Sequence, residues 1–142
     1  TMIPHDEEDH ARIRRHLSER DGWGFTTLEC GKNLLSLLDD PQVDPSGAFL
    51  LDSVTALLSN EMFDERGEFD PDAAKRIRED LTEFAAKTGS TVFVSDYIYS
   101  DACEYSETVE AYRQGLATAD RALASVCERV IEISGGMEEI WK

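Results

Sequence analysis

Two short apolar runs constrain this chain most. Ala48-Phe49-Leu50-Leu51 ends in Asp52, and Thr91-Val92-Phe93-Val94 ends at Ser95-Asp96. Each is apolar at consecutive positions, too short for a helix, and closed by polar residues. That pattern belongs to a strand buried on both faces of a parallel sheet. A third run, Val130-Ile131-Glu132-Ile133-Ser134, is expected to be the last buried strand. Gly135-Gly136 then turns the chain, and Ile140-Trp141 is expected to pair as a short edge strand. Helical patterns lie between the runs. Strands alternating with helices predict an α/β fold, a three-layer and mostly parallel sheet with helices on both faces.

The helices are read from their stripes and punctuation. Asp70-Pro71 places a cap before a proline in a first turn. Ala74, Ile77, Leu81, Phe84 and Ala85 then form an apolar stripe, and Gly89 ends it. Glu107 to Ser125 is a long amphipathic helix, with Val109, Tyr112, Leu116, Ala119, Leu123 and Val126 as its core stripe. Asn33 to Leu38 reads as a helix, Asp39 to Gly47 as a loop with two prolines, and Val54 to Phe63 as a helix after the first apolar run. Asp64 to Asp70 is an acidic loop, and Tyr97 to Tyr105 a loop with three tyrosines. Repeats, low-complexity segments and interdomain linkers are absent, so residues 1–142 read as one domain of ordinary size.

The formal charge is −16, which excludes a nucleic-acid backbone or an anionic membrane as the expected partner. It also means that a bound nucleotide would need local cations or Mg²⁺. No apolar stretch reaches the ~20 residues of a membrane span, and no secretory leader is visible. Cys30, Cys103 and Cys127 are odd in number and lack Cys-x-x-Cys spacing. They read as reduced thiols of a cytoplasmic protein, with no zinc site.

Against that acidity stands one dense basic cluster. From Arg12 to Arg20 there are four arginines, one glutamate and one histidine, His16. Pro4 and Asp6 look like a helix start, with Asp6 as N-cap. Glu7, Glu8 and Asp9 suit the positive end of its dipole, and Arg12, Arg14 and Arg15 suit the later turns. The helix is expected to run to about Leu17. His10 and His16 lie about 240° apart around it, so they are not expected to face one ligand or share a metal. His5 reads as a surface residue. Asp21-Gly22 and Gly24 mark a turn around Trp23, which is either core or a cover for a purine ring. Phe25 to Glu29 reads as a short strand. The arginines suit either an exposed helix face in water or an anionic substrate, of which phosphate is the commonest. Asp52, at a strand's carboxyl end, suits either the cap of the next helix or a water-mediated Mg²⁺ site beside a nucleoside triphosphate.

Arg12-Ile13-Arg14-Arg15-His16, then Arg20 and Gly24-Phe25-Thr26-Thr27-Leu28-Glu29, after Met2-Ile3-Pro4-His5-Asp6-Glu7-Glu8, resembles the adenosylcobinamide kinase / adenosylcobinamide-phosphate guanylyltransferase family of cobalamin biosynthesis. The family signature is Arg-Ile-x-x-His, a nearby Arg, then Thr-x-Glu. The likeness continues through Phe49 to Ser53, Ser59 to Phe63, Val92 to Asp96 and Val130 to Gly135, nearly the whole chain. It implies a sheet of P-loop NTPase type. The family's first strand and its Gly-x-x-x-x-Gly-Lys-Ser/Thr loop have no counterpart here, and Thr1 falls where the family's second strand ends.

The resemblance implies that His16 is a nucleophile carrying GMP from GTP to a corrinoid phosphate. Arg20 is then the phosphate clamp, Asp52 the Mg²⁺ ligand, and Glu29 a nucleoside contact. Thr1, Met2, Ile3, Asp21, Gly22 and Trp23 complete the expected nucleotide contacts. A histidine suits the step because its unprotonated imidazole is a good nucleophile near neutrality. Kinase chemistry, with GTP or ATP as the donor, is expected only if a P-loop precedes Thr1. A homo-oligomer is expected as well, because the family forms oligomers and the incomplete sheet leaves an open edge. The family's Asn-Glu pair in the loop facing the corrinoid is replaced here by Asp96-Tyr97. That departure leaves a second reading, a non-catalytic relative that binds a nucleotide or a partner.

Overall fold

The computed structural model describes every residue except Met2, His5 and Glu65. Its elements run in the order α1 (Glu7–Glu19), a 3-10 helix (Leu34–Asp39), β1 (Ala48–Asp52), α2 (Val54–Met62), α3 (Ala73–Lys87), β2 (Ser90–Val94), α4 (Glu107–Val126), β3 (Ile131–Ser134) and β4 (Met137–Ile140).

The two shorter apolar runs pair as predicted. β1 and β2 are parallel, with Ala48 opposite Ser90 and Asp52 opposite Val94. Their side chains alternate between faces, as a strand dictates. Leu51 joins the core, and Phe49 and Phe93 pack against it. Phe49 meets Phe84 of α3 edge to face, with ring centroids 5.4 Å apart. The other face is open: Leu50, Val92 and Val94 are 42, 59 and 38% exposed. The expected burial on both faces is therefore corrected to burial on one. The described chain has one helical layer on a two-stranded parallel sheet.

That layer holds the core. Val54, Leu57, Leu58 and Met62 of α2 meet Ala73, Ile77, Leu81 and Phe84 of α3 and Leu116, Ala119 and Leu123 of α4. These are the positions that the three-and-four spacing selects. Gly115 is buried where α3 and α4 approach, and a Cβ there would lie 2.9 Å from the Ala74 Cβ. The expected stripe of α4 frays at its ends, where Val109 and Val126 are partly exposed. Ser53 caps α2 by accepting from the Ala56 N–H at 3.2 Å. The third helix begins at Ala73 rather than at Pro71. Asp70 does not cap it directly but accepts from the Asp72 N–H at 2.9 Å, closing the turn before it.

One expected strand is placed elsewhere and another does not form. Val130–Ser134 does not enter the parallel sheet. Ile131–Ser134 pairs antiparallel with Met137–Ile140, and every residue of this hairpin is exposed. The cause is local. Gly135 and Gly136 have φ of +60° and +78°, the signs that a two-residue hairpin turn requires. A partner two residues away costs far less chain entropy than a crossover to β2. Phe25–Glu29 forms no strand, because no neighbouring strand offers it a ladder.

Candidate functional site

The described residues around the basic cluster are built as the sequence suggests, with small shifts. Asp6 caps α1, accepting from the Asp9 N–H at 2.8 Å, and Glu7, Glu8 and Asp9 occupy its first turn. The helix extends past Leu17 to Glu19, and Arg20 closes it with its N–H on the His16 carbonyl at 3.2 Å. None of its residues is buried. Its inward face carries His10, Ile13, His16, Leu17 and Arg20, which line one cavity of about 730 Å³. His10 and His16, which were not expected to face one ligand, both border this cavity. Their 240° separation is 120° the other way round, and the cavity is wide enough to meet both edges of that face.

The far wall is β1. Gly47 through Ser53 all line the cavity, one after another. Consecutive residues of a strand point to opposite faces, so this cavity runs along the unpaired edge of β1. Asp52 stands at its carboxyl end. The capping alternative for Asp52 falls, because the α2 cap is Ser53. The Asp52–Ser53 peptide is cis.

The segment at Thr1 is laid against the same end. The Thr1 nitrogen donates to the Asp52 carbonyl at 3.2 Å, the Ser53 N–H donates to Thr1 Oγ1 at 2.8 Å, and Asn60 Nδ2 donates to the Thr1 carbonyl at 2.7 Å and to the Gly31 carbonyl at 2.9 Å. Ile3 lies against Gly31 so closely that any Cβ at Gly31 would collide with it. Asn60 and Gly31 are thus the seat of this segment; Asn60 stood out only as part of the family likeness from Ser59 to Phe63, and Gly31 not at all.

The expected site residues divide into two groups. Thr1, His16, Arg20, Glu29 and Asp52 line the cavity. Ile3 sits beside it on Gly31. Asp21, Gly22 and Trp23 are not on its lining. Trp23 is 70% exposed, so the core alternative for it falls, and its nearest ring is Phe25, with centroids 6.4 Å apart. Met2 and His5 lie outside the described residues.

Two contacts fix the surroundings of His16 and Arg20. Arg20 Nε donates to the His16 carbonyl at 3.1 Å, tying the cation to the histidine's own helical turn. His16 Nδ1 lies 3.5 Å from Glu19 Oε2. The charge closest to the imidazole is therefore an acid, where the cluster of arginines suggested a cation. Among the described residues no group of three or more His, Cys, Asp or Glu is placed to hold a metal ion. A single carboxylate at a strand's end still fits Mg²⁺, which keeps most of its shell in water and phosphate oxygens. Among the described residues no helix is long and apolar enough to cross a membrane.

The family model for cobinamide kinase / cobinamide phosphate guanyltransferase matches residues 1–139. No curated protein matches the chain.

Proposed function

This chain belongs to the cobinamide kinase / cobinamide phosphate guanyltransferase family, and from that premise we propose that it passes GMP from GTP to cobinamide phosphate through His16. The observation that carries the proposal is convergence. His16 and Arg20 from the first helix, Glu29 from the following segment and Asp52 from β1 line one cavity. Cavities of a few hundred to a thousand Å³ suit ligands of nucleotide size.

In the first step the unprotonated His16 imidazole attacks the α-phosphorus of GTP. A nitrogen–phosphorus bond forms, the bond to the β-phosphate oxygen breaks, and pyrophosphate leaves with the electron pair. In the second step an oxygen of cobinamide phosphate attacks the same phosphorus and the imidazole leaves. Glu19 beside Nδ1 favours a proton on that nitrogen and the lone pair on Nε2. Arg20 spends Nε on the helix end, and the rest of its planar fork suits phosphate oxygens. Asp52 would hold Mg²⁺, which when bound offsets charge on the phosphates. Thr1 and Glu29 would border the nucleoside.

Kinase chemistry, the family's other reaction, needs the amides and lysine of a Gly-x-x-x-x-Gly-Lys-Ser/Thr loop. That run does not occur between Thr1 and Lys142, so no residue here is assigned to it. The open sheet face of Leu50, Val92 and Val94 supports the three-layer arrangement as the architecture of the whole enzyme. The exposed Ile133, Met137, Ile140 and Trp141 of the hairpin support an oligomer.

The test is incubation of the full-length protein with α-labelled GTP. The expected product carries label that survives alkali and is lost in acid, as a phosphoramidate does. His16→Ala should abolish it, and His10→Ala, on the same cavity, should retain it. Acid-labile label persisting on the His16→Ala protein would sink the assignment.

A further inference from the structure

Glu19 is the last residue of α1, and nothing in the helix itself accounts for it. The carboxyl end of a helix carries the negative end of its dipole, so an acid there is locally unfavourable. Arg15, four residues earlier, lies 4.0 Å from Glu19, Nε to Oε1. That order, cation before acid, is the weaker of the two for a pair at this spacing. Glu19 is also exposed, so it fills no gap in the core.

What Glu19 meets more closely is His16. Its Oε2 lies 3.5 Å from Nδ1, nearer than Oε1 lies to Arg15. The two carboxylate oxygens are thus divided between the ring and the guanidinium, and Arg15 holds the one that the ring does not meet. The backbone of the same turn is fixed as well, because the His16 carbonyl accepts from the Arg20 N–H at 3.2 Å and from Arg20 Nε at 3.1 Å. His16 lines the cavity and Glu19 does not. The acid therefore meets the edge of the ring turned away from the cavity, and Nε2 is the nitrogen left for a ligand inside it.

A neutral imidazole has one proton and one lone pair, and its two nitrogens compete for them. An isolated histidine side chain favours the proton on Nε2, which leaves the lone pair on Nδ1. A carboxylate beside Nδ1 reverses that preference, drawing the proton to itself and leaving the pair on Nε2. We propose that Glu19 is a positioning residue that holds neutral His16 with its proton on Nδ1, so that Nε2 alone is the nitrogen that bonds to phosphorus. This rests on the reading that His16 carries GMP. Nε2 gives its pair to the α-phosphorus, and pyrophosphate leaves with the pair of the broken phosphorus–oxygen bond. The ring becomes a cation that keeps its Nδ1 proton, and that charge develops beside Glu19. When the acceptor oxygen attacks, the ring leaves as the same neutral tautomer.

The experiment compares Glu19→Ala and Glu19→Lys with the unchanged full-length protein. Both replacements are good helix formers at an exposed position. Three readouts are taken: the ring nitrogen-15 shifts of His16 without nucleotide at about pH 8.5, where imidazole is neutral; the nitrogen that carries GMP, from the same shifts after labelling; and the single-turnover rate of labelling from α-labelled GTP. In the unchanged protein the proton should sit on Nδ1 and GMP on Nε2. In Glu19→Ala the proton should return to Nε2 and labelling should slow roughly two- to fivefold, the span that an exposed ion pair can impose. Glu19→Lys should slow it further, because an ammonium donates to Nδ1 and keeps the lone pair there. A tautomer that stays the same in both variants overturns the proposal, even if labelling slows, since the acid would then act only through its charge. GMP on Nδ1 of the unchanged protein overturns it too. The tautomer is read without nucleotide, so the two readings fail separately: absence of label on the unchanged protein defeats the role of His16, whereas a proton that does not move defeats the role of Glu19.

Discussion

The two halves of this molecule are stabilised in different ways. From Ala48 to Val126 the chain makes a body in which α2, α3 and α4 share one continuous apolar core. From Thr1 to Asn33 it makes an arm with one helix, none of whose residues is buried. The arm is tied to the body by hydrogen bonds, chiefly those of Thr1 to Asp52, Ser53 and Asn60. Yet the arm carries His16 and Arg20, and the body carries Asp52. The proposed nucleophile and phosphate clamp thus lie outside the stretch that packs the core. The stretch proposed to meet substrate is the one with least of its own to hold it in place, and a 13-residue helix is marginal alone.

The contrast is sharpest for core truncation. Phe84→Ala removes a buried ring that meets Phe49 and should cost ~3–5 kcal/mol in denaturant unfolding. Ile13→Ala, on the half-buried face of α1, should cost under ~1 kcal/mol, because little apolar area is lost. Equal losses would show that the arm unfolds with the body and would erase the distinction.

Cap removal divides the halves more finely. Ser53→Ala and Asp6→Ala each delete one side-chain bond to a backbone N–H at a helix start, worth ~1 kcal/mol. For Ser53 that loss should appear in the global transition. For Asp6 it should appear as faster amide exchange in α1 with an unchanged midpoint. A lowered global midpoint for Asp6→Ala would place α1 inside the cooperative unit.

The smallest effect probes the body alone. Burial, the leading cause, raises the Asp120 carboxyl above the ordinary aspartate range, although Ser95 and Tyr99 donate to it. The folded state therefore holds that proton more tightly than the unfolded chain does. Its contribution to stability is complete below the unfolded value and is lost as pH rises through the folded one. Asp120→Asn has no such proton to lose. Its melting temperature relative to the unchanged protein should improve from about pH 3 to about pH 7. A difference independent of pH would show that the burial is offset in full by the two hydroxyls.

What the sequence disclosed follows the same division. Leu57, Ile77, Leu81 and Leu116 are core because helical periodicity is a property of the chain alone. The strands at 48 and 90 were legible as strands, but their exposed face was not, since coverage depends on elements elsewhere. The run at 130 was misplaced because its apolar residues fit a buried parallel strand as well as an open hairpin, and the two glycines after it decided the matter. In the arm, His16 and Arg20 stood out as a histidine within the one basic cluster. That they share a cavity with Asp52 was not, because the cavity follows the unpaired edge of β1, which depends on strand pairing. Arg113, buried on α4 at 7% exposure, left a signal that was passed over: a lone cation within the apolar spacing of that helix.

One consequence of the contact between Gly115 and Ala74 concerns how such sequences can vary. The two positions, 41 places apart in the chain, share room for one methyl group. It can sit on α3, as here, or on α4, but not on both at the present helix separation. Leu58 and Met62, 3.5 and 3.6 Å from the same point, would meet that methyl in ordinary contact. At this helix separation a methyl gained at position 115 has room only where the one at position 74 is surrendered.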